Sequence, residues 1–198
     1  MFEHLLATIN IGALSFISTN IDDLFLLILL FSYMKNNTLS QFGIVSGQFF
    51  GMALLISVSL LSSYFGMILL SPDQPRFLGI FPIGLGLYKL FRQDTSLSIQ
   101  ELKKYQRRST GCTSQVLAVT LITIANGGDN IAVYVPIFAR HQEFNLSLLL
   151  LIYFLMTGVW CLLARYLTAH KKIDRFLRHQ TRLFPFILIA VGSYLLFR

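Results

Sequence analysis

Two short polar motifs interrupt otherwise apolar stretches of the chain. The first carries Asn20, Asp22 and Asp23 within SFISTNIDDLFLLILLF, and the second carries Asn126, Asp129 and Asn130 within TLITIANGGDNIAVYVPIF. In each, an asparagine precedes an aspartate by three residues, which on a helix puts an amide and a carboxylate on one face. Asp22 points about 100° away from Asp23, toward a different neighbour. An ionised carboxylate near the centre of a membrane helix costs about 2.5–3.5 kcal/mol, so three cost on the order of 9 kcal/mol if nothing compensates them. No Lys or Arg falls at matching depth in the sequence, so the compensating charge must be a proton, a metal ion or both. The faces carrying Asn20 with Asp23 and Asn126 with Asp129 are expected to meet in one oxygen-rich site near the midplane, whose compensating charge is supplied by protons, metal ions or both, with Asp22 serving a different step. No catalytic group and no resident cofactor is expected. Carboxylate, amide and carbonyl oxygens suit hard cations such as Mg²⁺, Ca²⁺ and Mn²⁺, whereas Cd²⁺ is soft and prefers thiolate.

The elements that must position these residues are membrane helices. Of 198 residues, 55% are hydrophobic and 13% charged, with a mean hydropathy of +0.65, against about 25% charged residues in an ordinary soluble domain. A soluble globule is excluded, and the length leaves no room for a folded ATP-hydrolysing domain beside the spans. Apolar stretches predict six spans at about 5–34, 41–70, 77–91, 115–139, 146–168 and 183–197. The amino-terminal stretch lacks the basic region of a signal peptide and reads as a retained first helix. With six spans, thirteen of the sixteen Lys and Arg fall in one set of loops and only Arg76, Arg140 and Arg198 in the other. The positive-inside bias places both termini outside the cytoplasm. The basic runs at 101–108 and 170–182 read as topology determinants that touch anionic membrane lipid, not as a nucleic-acid surface.

An internal repeat orders the spans. Arg76–Arg92 laid over Arg182–Arg198 matches at seven of seventeen positions, and the same offset of 106 carries Asn20 onto Asn126 and Asp23 onto Asp129. Three spans per unit is an odd number, so the second unit must cross the membrane inverted. The expected fold is an all-α integral membrane protein with six transmembrane helices as two inverted three-helix repeats: residues 1–92, a basic cytoplasmic linker at 93–114, and residues 115–198.

The residues around the motifs carry weaker signals. Gly127 and Gly128 stand where the first motif has Ile21 and Asp22; each costs about 1 kcal/mol in a helix interior, which predicts a locally unwound segment with carbonyls free to face a cavity. Gly43, Gly47 and Gly51 form a GxxxGxxxG stripe that reads as a close-packing face. Gln48, Ser46 and Thr157 are polar enough to reach the site, yet could equally bond between helices. Cys161, Met52, Met67 and Met156 read as apolar filler, and Cys112 falls in a polar stretch with no disulfide spacing. Pro82, Pro136 and Pro185 read as structural. His4, His141, His170 and His179 lie near span ends or in loops, which does not support a histidine metal site.

TNIDDLF at 19–25 together with ANGGDNIAVYVPIF at 125–138 resembles the cadmium resistance transporter (CadD-like) family of the LysE-type exporter superfamily. The resemblance covers nearly the whole chain, including its length and basic middle loop. It implies a bacterial plasma-membrane protein that exports Cd²⁺, with Asn20, Asp22, Asp23, Asn126, Asp129 and Asn130 at the site. Alternatives are an exporter of Mn²⁺, Zn²⁺ or Ca²⁺ and, with less support, an intramembrane aspartyl protease, because Gly127–Asp129 echoes the GxGD pattern of that family. Asn126 stands in place of its first glycine. Export of amino acids is disfavoured because a carboxylate-only site lacks a cationic partner for the substrate carboxylate. Association into a homo-oligomer is left open by the sequence.

Overall fold

The computed structural model describes residues 2–34, 40–69, 80, 83–84, 87, 112–140, 143–169, 189 and 193. Among them the chain forms five helices and no strand: α1 (Phe2–Met34), α2 (Gln41–Leu69), α3 (Cys112–Asn126), α4 (Gly128–Arg140) and α5 (Glu143–Thr168). Three helices are long and apolar enough to cross a bilayer, over Leu5–Ser32, Gln41–Gly66 and Leu146–Thr168. The pair α3 and α4 meets at a 68° bend and is either one broken span or a re-entrant loop. The spans predicted at 77–91 and 183–197, and the basic runs at 101–108 and 170–182, lie outside the described residues save for isolated positions.

Burial is arranged as lipid demands. Leu14, Leu155 and Leu162 are 63%, 62% and 69% exposed on outward faces, while Ser15, Ser18, Thr19, Gln48, Thr123 and Thr157 are buried between helices. Hydrocarbon solvates the leucines at no cost, and the polar groups find partners only inside.

Two helix pairs share a direction. The glycine stripe of α2 lies against α3, with Gly43 at Gln115, Gly47 at Val119 and Gly51 at Thr123, so each partner sits 72 residues further along. A Cβ at Gly47 would stand 2.5 Å from that of Val119, and one at Gly51 would stand 2.6 Å from that of Thr123. The stripe is thus a close-packing face, as its spacing predicts. Thr120 Oγ1 donates to the Gly47 carbonyl at 3.1 Å across the same seam. At its start, Ser40 caps α2 by accepting the Gly43 N–H on Oγ at 3.0 Å, and the Ser40 N–H donates to Gln115 Oε1 at 2.9 Å.

The second pair is α1 with α5. Gly12 packs on Ile152, Trp160 Nε1 donates to the Asn20 carbonyl, and Thr168 Oγ1 donates to the Ile28 carbonyl, each pair 140 residues apart. The bent span of α3 and α4 crosses α1 in the opposite sense, since Thr19 and Asn20 meet Tyr134 of α4 while Asp23, further along α1, meets the earlier Asn126 at the end of α3. Aromatic rings fill the junction of α1, α4 and α5: Tyr134 stacks on Tyr153 at 4.3 Å, and Phe16 meets Trp160 edge-on at 5.5 Å.

Candidate cation site

The two motifs meet where α1 crosses the break between α3 and α4. Asp23 is 1% exposed, and both its oxygens accept amide hydrogens: Asn126 Nδ2 donates to Oδ1 at 2.9 Å, and Gln48 Nε2 donates to Oδ2 at 3.1 Å. One carboxylate of the first motif is therefore bonded directly to the asparagine of the second. Thr123, one turn before Asn126, donates to Gln48 Oε1 at 2.8 Å and so sets which end of that amide faces Asp23. Among the described residues no cationic side chain pairs with Asp23.

The asparagines form the second layer. Asn20 Nδ2 donates to Tyr134 Oη at 2.8 Å and to the Phe16 carbonyl at 2.9 Å. Its Oδ1 accepts from Asn130 Nδ2 at 3.3 Å, and its backbone carbonyl accepts from Trp160 Nε1 at 2.6 Å. The carbonyl oxygen Oδ1 of Asn130 is buried without a hydrogen-bond partner. A buried polar atom left so costs about 1–3 kcal/mol, which marks it as an acceptor held for something else.

Asp129 is 3% exposed in the first turn of α4, where the exposed N–H groups of the helix start favour a negative charge. It lies within electrostatic range of Asp23. Asp22 does too, but it is half-buried and turned aside from the Asp23 face, as the helical spacing predicts. Direct hydrogen bonds across the crossing thus join Asp23 to Asn126 and Asn20 to Asn130, and Asp129 and Asp22 act on Asp23 electrostatically.

The break itself differs from the expectation of two unwound glycines. Only Gly127 leaves the helix, its N–H bonding back to the Ile124 carbonyl at 3.1 Å, and Gly128 already opens α4. No described residue has a positive φ. What Gly127 supplies is space, because a Cβ there would collide with the Leu55 side chain, whereas one on Gly128 would meet nothing within 4 Å.

Gln48 joins the site by direct contact with Asp23. Thr123, Tyr134 and Trp160 hold the site residues in place, and no motif spacing singles them out. Cys161, read from sequence as filler, is buried one residue beyond Trp160. Among the described residues, no three His, Cys, Asp or Glu side chains gather into a metal clasp. The direct hydrogen-bond partners of the Asp23 carboxylate among these residues are amides alone.

No similarity to a curated protein or to a solved structure is found. The family model described as cadmium resistance transporter matches residues 16–198, a stretch that contains both motifs, α1 from Phe16 onward and all of α2 to α5. The buried acid–amide cluster accordingly sits in a membrane protein that belongs to the cadmium resistance transporter family.

Proposed function

We propose that the chain is a secondary exporter of divalent heavy-metal cations, Cd²⁺ foremost, binding the dehydrated ion at Asp23 and Asp129 with help from Asn20, Asn126 and Asn130. The observation that carries this reading is the 2.9 Å bond from Asn126 to Asp23, which brings two buried polar motifs far apart in sequence into one cluster. Asn126 and Gln48 now present N–H groups to the carboxylate. A cation arriving at Asp23 replaces those hydrogens as its positive partner, and rotation of either amide offers the ion a carbonyl oxygen instead. Three carboxylates around one divalent ion leave a single negative charge, which a proton on Asp22 can neutralise and so couple to transport. Both Asp23 oxygens face amide donors rather than the second aspartate, which is not the shared-proton pair a protease needs.

We further read the architecture as two inverted three-helix units that rock about this crossing. The helix registers support it. If the units exchange places at an offset of 106, the α1–α5 pair with its 140-residue register maps onto the pair formed by α2 and the α3 span, which must then have a register of 72. That is the register in which α2 and α3 pack. In a bacterial plasma membrane the loop charges orient the chain with both termini outside.

Cation uptake into everted membrane vesicles tests the site. Asp23→Asn and Asp129→Asn should each lower Cd²⁺ uptake by about a hundredfold or more, since loss of an outer partner of a metal ligand alone costs about 10–100-fold. Undiminished uptake in either variant removes that residue from the site, and the same assay with Mn²⁺, Zn²⁺ and Ca²⁺ ranks the ions.

A further inference from the structure

A site of oxygens alone favours hard ions, and one buried sulfur lies at the level of the acid–amide cluster. Trp160 Nε1 bonds the Asn20 carbonyl at 2.6 Å, and the 140-residue register of the pair then puts Cys161 level with Ile21, between Asn20 and Asp23. The thiol is 5% exposed and within electrostatic range of Asp23. Across the same crossing, Asn130 is 1% exposed and holds its unpartnered Oδ1 inside the cluster, its amide nitrogen being spent on Asn20. An acceptor left unsatisfied in a closed cluster of donors and acids points to a cation as its partner.

We infer that Cys161 Sγ and Asn130 Oδ1 complete the coordination begun by Asp23, giving a mixed sulfur and oxygen donor set that selects a thiophilic divalent cation over a hard one. The inference rests on the transport reading above and adds to it the origin of ion preference. On binding, the metal–sulfur bond forms as the S–H bond breaks, and the proton released from Cys161 passes to water. The sulfur ligand then supplies what carboxylate and amide oxygens lack toward a soft ion.

The test uses the full chain carrying Cys112→Ser, which removes the exposed thiol and leaves Cys161 as the sole cysteine. Cd²⁺ added to this protein should produce the ultraviolet charge-transfer band of a cadmium–thiolate bond, and the band should vanish when Cys161→Ser is added. In everted vesicles, Cys161→Ser should lower the ratio of Cd²⁺ to Mn²⁺ uptake by about tenfold or more. Absence of the band in the Cys112→Ser protein, or an unchanged ratio in the Cys161→Ser variant, overturns the inference. Asp23→Asn separates the two ideas: uptake that survives it defeats the transport site itself, whereas loss of uptake there with no charge-transfer band in the Cys112→Ser protein defeats only the role of the sulfur.

Discussion

The two acid–amide motifs share a spacing and differ in backbone. Around Asn20 and Asp23 the helix α1 runs unbroken, with Ile21 and Asp22 between them, whereas Asn126 ends α3 and Asp129 opens α4 across a 68° bend. The neighbours differ in a complementary way. Leu55 of α2 fills the space above Gly127, and the α1–α5 register sets the smaller Cys161 at the level of the larger Ile21. Bulk has been exchanged between the partners at the two sites. A glycine with a leucine over it gives a bend, and an isoleucine beside a cysteine gives a continuous helix. Asn126 reaches Asp23 from the last turn of α3, and beyond the bend α4 sets Asn130 against Asn20.

This contrast can be broken by substitution. The largest effect should come from charge: Asp23→Asn is expected to abolish most Cd²⁺ uptake, by about a hundredfold or more, while leaving the protein folded by size-exclusion profile. Next comes bulk at the bend. Gly127→Ala should lower stability by about 1–3 kcal/mol, because the new methyl group meets Leu55 with no room to move. Leu55→Ala in the same chain should return part of that loss, while Gly128→Ala, whose Cβ meets nothing, should leave the thermal midpoint in detergent unchanged or slightly raised. Equal destabilisation at 127 and 128 would show that backbone freedom, not space for Leu55, is what the pair supplies.

Smaller effects probe the amides. Asn130→Leu removes the unpartnered carbonyl together with one bond to Asn20, so binding of Cd²⁺ and Mn²⁺ should weaken in parallel while stability changes little. Thr123→Val deletes the hydroxyl that orients Gln48 and should cost about 0.6 kcal/mol, the usual worth of a hydrogen bond between membrane helices.

The motifs themselves were legible in sequence because a carboxylate in an apolar run has no bland explanation. That signal singles out Asn20, Asp23, Asn126 and Asn130, which the structure joins in two hydrogen-bonded pairs, and four described helices or helix pairs fall within a few residues of the predicted spans. The break was legible from its glycines, though not that Gly127 alone would leave the helix. What could not be read was partnership. Gln48 lies in a glycine stripe, and only the 72-residue register with α3 decides whether its amide faces Thr123 and Asp23 or an unrelated neighbour. Trp160 and Tyr134 look like packing residues in any apolar helix, and their donor and acceptor roles follow from which asparagine the register sets before them.

Contact between the motifs is most directly tested by exchanging their partners, with Asp23→Asn and Asn126→Asp made singly and together and Cd²⁺ uptake measured in everted vesicles. Because the two side chains touch, the combined variant restores the charge at the same crossing and should recover a substantial part of the uptake that Asp23→Asn loses. If the two changes instead compound, so that the combined variant is worse than either alone, the carboxylate and amide act at separate places and the shared site does not exist.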